Sequence, residues 1–355
     1  MGSPRFFLFL FSSILALSAC TGALKPKAPE LRILSWSGYF RDEMVADFEN
    51  KTKLKVVRDY FSNNEELLAK VKSSVASGGK GYDLILPSDY MVQSMVKLKL
   101  LKPIERKRLP VLELFSPDFL TPEFDPKLEH SVPFAFGTTG IAVNTKLAAS
   151  LDLTKGVTWK DLFENSAFSG KVTLLDDAKE SLHAALLANG KSWKGLTEAD
   201  VKMAFAYLKA HKKNLRIFTT ETRPVIEGDE CVLCQVYSGD ALTVSDTKPE
   251  IRYFIPNEGA TLWTDNFALP VNGYNTDAAY VFVNHMLSAP VAKTFTTITH
   301  YPTPNQEARK LLPEAVSKDA TIFPAGDQFK KLAFLTERED LLPLIDRLWT
   351  ELRSQ

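Results

Sequence analysis

The 355-residue chain has few cysteines, no excess of either charge and a single long apolar run. Three cysteines exclude a disulfide framework as the source of the fold. Lysine plus arginine and aspartate plus glutamate stand at 43 each, for a formal charge of zero. A nucleic-acid binder would need a basic excess to neutralise phosphates. The G-x-S-x-G, Walker A and G-x-G-x-x-G patterns are also missing, which removes the usual hydrolase and nucleotide-binding signatures. His130, His183, His211, His285 and His300 show no metal-ligand spacing, so neither a metal nor a cofactor is expected. What is present, 45% hydrophobic and 24% charged residues, suffices for an ordinary core, and the length accommodates two domains.

The apolar run, Phe6 to Leu17 behind Arg5, is shorter than the ~20 residues a membrane span needs and fits a signal-peptide core. It ends Leu17-Ser18-Ala19-Cys20, which resembles a bacterial lipobox. That resemblance implies a signal peptide over 1–19 and diacylation of Cys20. Residues 20–30, with Pro26 and Pro29, then read as an extended tether. The mature protein is expected outside the cytoplasm, held to a membrane by lipid at ~0.8 kcal/mol per buried CH₂.

Leu31 to Trp36 predicts a strand, and Met44, Val45 and Phe48 mark one face of a helix. Lys53 to Val56 alternates as a second strand. Ser62 with Glu65 forms a capping-box pattern before Leu67, Leu68, Val71 and Val75; Gly78 and Gly79 stop that helix. Tyr82 to Pro87 predicts a third strand. Strands at 172–175 and 232–236, with a helix at 200–209 between them, repeat the alternation. Such an order implies an α/β fold of two lobes, each with a parallel sheet covered by helices.

Open parallel sheets bind ligands at the carboxyl ends of their strands. Here those ends carry Trp36-Ser37-Gly38-Tyr39, Pro87-Ser88-Asp89-Tyr90, Asp176-Asp177-Ala178-Lys179-Glu180 and Tyr237-Ser238-Gly239-Asp240. A fifth cluster, Trp263-Thr264-Asp265, precedes the apolar run from Asn266 to Pro270. Each has an ordinary alternative: core packing for Trp36 and Trp263, the helix dipole for Asp177 and Glu180, a turn for Asp240. Their recurrence at successive strand ends points instead to a cleft for a small organic cation. Aromatic faces attract a cation at ~0.5–2 kcal/mol per contact, and carboxylates add charge-assisted hydrogen bonds.

These clusters, with Leu175 before Asp176 and Tyr301-Pro302-Thr303-Pro304-Asn305, resemble the bacterial spermidine/putrescine-binding proteins of ABC transporters, from Leu31 to near the C-terminus. The resemblance implies a two-lobed periplasmic-binding-protein fold of type II character, hinged between lobes at 31–141 plus 266–305 and 142–265 plus 306–355. It implies a monomer that hands its polyamine to a permease. Trp36, Tyr39, Tyr90, Trp263 and Tyr301 would line the ligand. Asp177, Glu180, Asp240 and Asp265 would pair with its amines, and Ser37 and Ser88 would add hydroxyl contacts. Tyr237 replaces the tryptophan usual in that family. Tyr237 to Asp240 is similar to its putrescine-selective branch, whereas Asp177 with Glu180 is closer to its spermidine-selective branch, so the preference stays open. A C-terminal polar contact of the family falls near Thr336 or Glu337.

Cys231-Val232-Leu233-Cys234 matches C-x-x-C. Within a strand, residues three apart point to opposite faces, so two buried, unbonded cysteines are expected. An exported carboxylate-dependent hydrolase and a same-fold binder of another organic cation are the rival readings.

Overall fold

The computed structural model describes residues 29–354. The signal stretch, Cys20 and most of the tether lie outside these residues. Apolar alternation at the start of the mature chain produces β1 (Glu30–Trp36), which buries Leu31, Ile33 and Leu34. β2 (Lys55–Phe61) pairs parallel with it and starts later than the alternation at Lys53 predicts. Lys53 itself takes φ 62° as the left-handed cap of the helix Asp42–Thr52, its N–H bonded to Glu49 O. The cap of the next helix, Asn64–Ala76, is also displaced. Asn63 accepts the Glu66 N–H, and the Glu66 carboxylate reaches back to the Ser62 N–H at 2.8 Å. β3 is shorter than predicted (Leu84–Ile85), although the Asp83 and Leu86 N–H groups extend its ladder to Arg32 O and Leu34 O.

The remaining strands are β4 (Ser131–Asn144), β5 (Val172–Leu174), β6 (Leu215–Phe218), β7 (Leu233–Tyr237), β8 (Ile251–Phe254), β9 (Ala260–Ala268) and β10 (Leu332–Ala333). They form one sheet in the order β2-β1-β3-β9-β4-β7-β5-β6, with β8 on β4 and β10 on β9. The expected parallel pairing holds on the flanks, β2-β1-β3 and β7-β5-β6. Between them β4 and β9 run antiparallel, so the sheet is mixed. All of β4 is buried. Its first half pairs with β9, and Thr139–Asn144 pair with β7 and β8. Pro133, which has no N–H to donate, coincides with the register shift against β9.

This single strand therefore serves two cores. One gathers Phe48, Phe134, Phe267, Phe282 and Phe295. The other gathers Trp159, Phe163, Leu182, Leu186 and Phe205 against Leu233. Full burial of each such side chain contributes ~1.5–3 kcal/mol. Ile345 and Leu352 of the C-terminal helix Leu342–Ser354 close the second core.

Two expectations change. Trp263, Thr264 and Asp265 do not precede a strand; they lie inside β9, because pairing with β4 extends that strand back to Ala260. Cys231 and Cys234 are not separate buried thiols but form a disulfide, Cα–Cα 6.2 Å. β7 begins only at Leu233, so the chain turns at 231–232 and lets the two sulfurs face each other.

Candidate functional site

Asp265 lies where β9 passes the end of β3, almost fully buried. Ser88 bridges to it across the strands, and the Ser88 hydroxyl donates to Oδ1 at 2.6 Å. The Tyr39 hydroxyl donates to Oδ2. Gly38, at φ 84°, makes the turn between Trp36 and Tyr39; Ser37, in that turn, is exposed. Asn64 holds Ser88 from both sides, accepting its N–H and donating to its hydroxyl, each at 3.1 Å. Burial pushes the Asp265 carboxyl up to about 6 despite these donors. Its neighbour Asp89 is pushed to about 7, also by burial, while accepting the Tyr90 and Thr264 N–H groups.

A wall of rings stands beside Asp265. Tyr39, Tyr301, Trp263 and Tyr237 follow one another at centroid distances of 5.9, 5.1 and 5.8 Å, the last two edge-on. Two glycines make room for it. A Cβ on Gly137 of β4 would fall 2.5 Å from the Trp263 indole, and one on Gly239 would fall 2.6 Å from the Tyr301 ring. The Trp263 N–H is buried with no hydrogen-bond partner among the described residues. Trp36 packs on Phe61 at 4.3 Å.

The predicted carboxylates divide among three settings. Asp177 caps the helix Ala178–Ala188, accepting the Lys179 and Glu180 N–H groups at 2.9 and 3.0 Å. Its charge raises the pKa values of Tyr90 and Tyr237, after burial itself, so it stands near both. Asp240 lies in the first turn of the helix Ser238–Ser245 rather than in a free turn. It is ion-paired to Arg223 at 2.7 Å and adjoins Tyr301. Glu180 faces the crossing strands. Thr139 of β4 and Thr261 of β9, opposite each other in register, donate to its two oxygens at 3.0 and 2.7 Å. Burial, and then Asp177, hold the Glu180 carboxyl well above its usual range.

Arg223 and Lys179 were not singled out from the sequence, and Glu337 entered only beside Thr336 through the family resemblance. Arg223 neutralises Asp240. Lys179 places its ammonium 3.5 Å from the Tyr90 ring centroid, and Glu337 pairs with it at 3.1 Å. Lys179 was visible only as part of a motif. Glu337 lies in the charged stretch Glu337 to Asp340. No local pattern marks either ion pair, because the partners are separated by 17 and 158 residues. The assembled site offers desolvated carboxylate, phenol and hydroxyl groups beside a row of aromatic rings. That suits a short, flexible organic cation, whose methylenes meet rings and whose ammonium groups meet carboxylates.

Comparison with known proteins bears on the same region. The family model described as "Bacterial extracellular solute-binding protein" matches residues 43–325. The chain is 32% identical over 324 residues to spermidine/putrescine-binding periplasmic protein 1 of Haemophilus influenzae, covering 91% of this chain and 88% of that protein. It is 30% identical to the putrescine-binding periplasmic protein PotF of Escherichia coli, covering 95% of each. A putative spermidine/putrescine ABC transporter structure from Listeria monocytogenes superposes with TM-score 0.83 at 28% identity, over 91% of this chain and 98% of that one.

Proposed function

The chain belongs to the bacterial extracellular solute-binding protein family, and from that premise we propose that it captures putrescine or spermidine outside the cytoplasm and delivers it to an ABC permease. Its fold is that of the two-lobed binding proteins. The observation that carries the reading is the buried Asp265 carboxylate, held by Tyr39 and Ser88 and flanked by the ring wall. A dry anion of this kind is favourable only when a cation comes to meet it.

In this reading Asp265 meets one ammonium and Asp177 another, while Trp36, Tyr39, Tyr90, Tyr237, Trp263 and Tyr301 flank the methylenes. Ser88 positions Asp265; Ser37 joins only at the rim. Glu180 braces the crossing strands beside the ligand, and Asp240, already neutralised by Arg223, contributes less. The lobes, 31–141 plus 266–305 and 142–265 plus 306–355, bend about β4 and β9. The protein acts as a monomer, binds and releases without bond chemistry, and is anchored through lipid on Cys20. Among the described residues no helix is long and apolar enough to cross a membrane.

Calorimetry against a panel of amines tests the reading. Asp265→Asn is expected to weaken binding roughly ten- to a hundredfold, the loss of one charge-assisted bond of ~1.5–3 kcal/mol. Asp240→Asn is expected to change it much less. Wild-type affinity in folded Asp265→Asn protein would sink the assignment. In cells, labelled fatty acid is expected in the wild type and not in Cys20→Ala; label retained by the variant would remove the anchor.

A further inference from the structure

Lys179 carries an amine into the place an amine ligand would take. Its ammonium lies over the Tyr90 ring, 3.5 Å from the centroid, and 3.1 Å from a Glu337 oxygen. The Lys179 and Glu337 side chains are 10% and 5% exposed, so the pair is nearly dry. The Tyr90 hydroxyl donates to Glu65 at 3.5 Å, and Asp177 caps the same helix by accepting the Lys179 backbone N–H. An aromatic face ringed by carboxylates is the chemistry that recognises a ligand ammonium, and here a side chain of the protein supplies the cation. Asp89, which precedes Tyr90, accepts the Thr264 N–H beside Asp265 and feels the charges of both Lys179 and Asp265, so this niche lies near the central carboxylate.

Glu337 ties the niche across the molecule. Its N–H bonds Gln93 and its carboxylate accepts from Ser94, both on the helix Asp89–Lys97. The flanking Thr336 O and Arg338 are bound to Trp193 and Leu196 O in the other core. Arg223 does the same service for Asp240 at the far side of the ring wall. Glu337 and Asp240 are thus already matched by cations of the chain.

We propose that Lys179 is a specificity-determining residue: its tethered ammonium fills the terminal amine position beside Tyr90 and restricts the cleft to diamines of putrescine length, against the longer triamine spermidine. The inference rests on the polyamine reading. A tethered cation competes at high effective concentration with the third ammonium of a triamine, which must displace it to enter.

Putrescine and spermidine are titrated by calorimetry into the wild type, Lys179→Ala, Lys179→Met and Lys179→Arg, with folding checked by circular dichroism. The wild type is expected to favour putrescine at least about tenfold. Removal of the ammonium should shift the ratio toward spermidine by roughly ten- to a hundredfold, the worth of a dry cation beside a ring and a carboxylate. Lys179→Arg keeps a cation there and should keep the diamine preference. The methionine variant preserves the packing of the stem and decides the matter if the alanine variant does not fold. A wild type that prefers spermidine overturns the proposal, as does a ratio unchanged in the folded variants. These outcomes leave the polyamine reading standing; a wild type that binds neither amine overturns both.

Discussion

Burial raises the Asp265 carboxyl to about 6 and Asp89 to about 7, whereas an aspartate in the unfolded chain titrates near ~3.9. The folded state therefore holds these protons more tightly. The contribution of these two groups to ligand-free stability is fully present below pH ~4 and is lost as the pH rises through those two values. Asp265→Asn removes the charge and should raise Tm at pH 8, by an increment on the order of 1–3 kcal/mol, with no such gain at pH 4. Calorimetric melts at the two pH values check this; a lower Tm for the variant at pH 8 would contradict it. Ligand binding runs the other way, since an ammonium needs the ionised carboxylate. Putrescine affinity is expected to weaken as the pH drops below about 6, with proton release on binding near that pH, measurable by titration in buffers of different ionisation enthalpy.

At the scale of elements, the fit between β4 and β9 carries the ring wall. Gly137→Ala would set a methyl against the Trp263 indole, and overpacking of this kind costs typically 1–3 kcal/mol. A lower Tm, weaker amine binding and a red-shifted tryptophan emission are expected together; unchanged emission would show that the ring had not moved. β1 and the helices after it were legible in the sequence because their apolar spacing is local and unambiguous. The boundaries differ by one or two residues: Lys53 adopts a left-handed cap that side-chain pattern does not encode, and Asn63 with Glu66 takes the cap that the pattern places at Ser62 with Glu65. The antiparallel centre was not legible, because β4 is buried along its whole length and shows no alternation. Most aromatic and acidic site residues could be found from strand-end motifs. Arg223 could not, since it acts through a partner distant in sequence, and Glu337 came into view only through the family resemblance. The disulfide escaped because the reading placed Cys231 inside a strand that starts two residues later. Replacing both cysteines by serine is expected to destabilise by ~2 kcal/mol, the chain-entropy value for so short a loop; denaturant melts with and without reductant measure it.

For the molecule as a whole, the sheet is continuous from one core to the other, so bending of the lobes must be taken up as twist in β4 and β9. A smaller radius of gyration with saturating putrescine is expected in small-angle scattering, and an unchanged value would argue against closure. The same central strands also govern when the site comes into being. Tyr39 and Asp265 are 226 residues apart in sequence, and Ser88 and Asp265 are 177 apart. Loops of this span must close before their contacts contribute, which makes folding slow and leaves such pairings late. A nascent chain that has not yet delivered β9 possesses neither the central carboxylate nor the ring wall. However much of the rest has formed, a chain without β9 in place has no assembled cleft to offer a ligand.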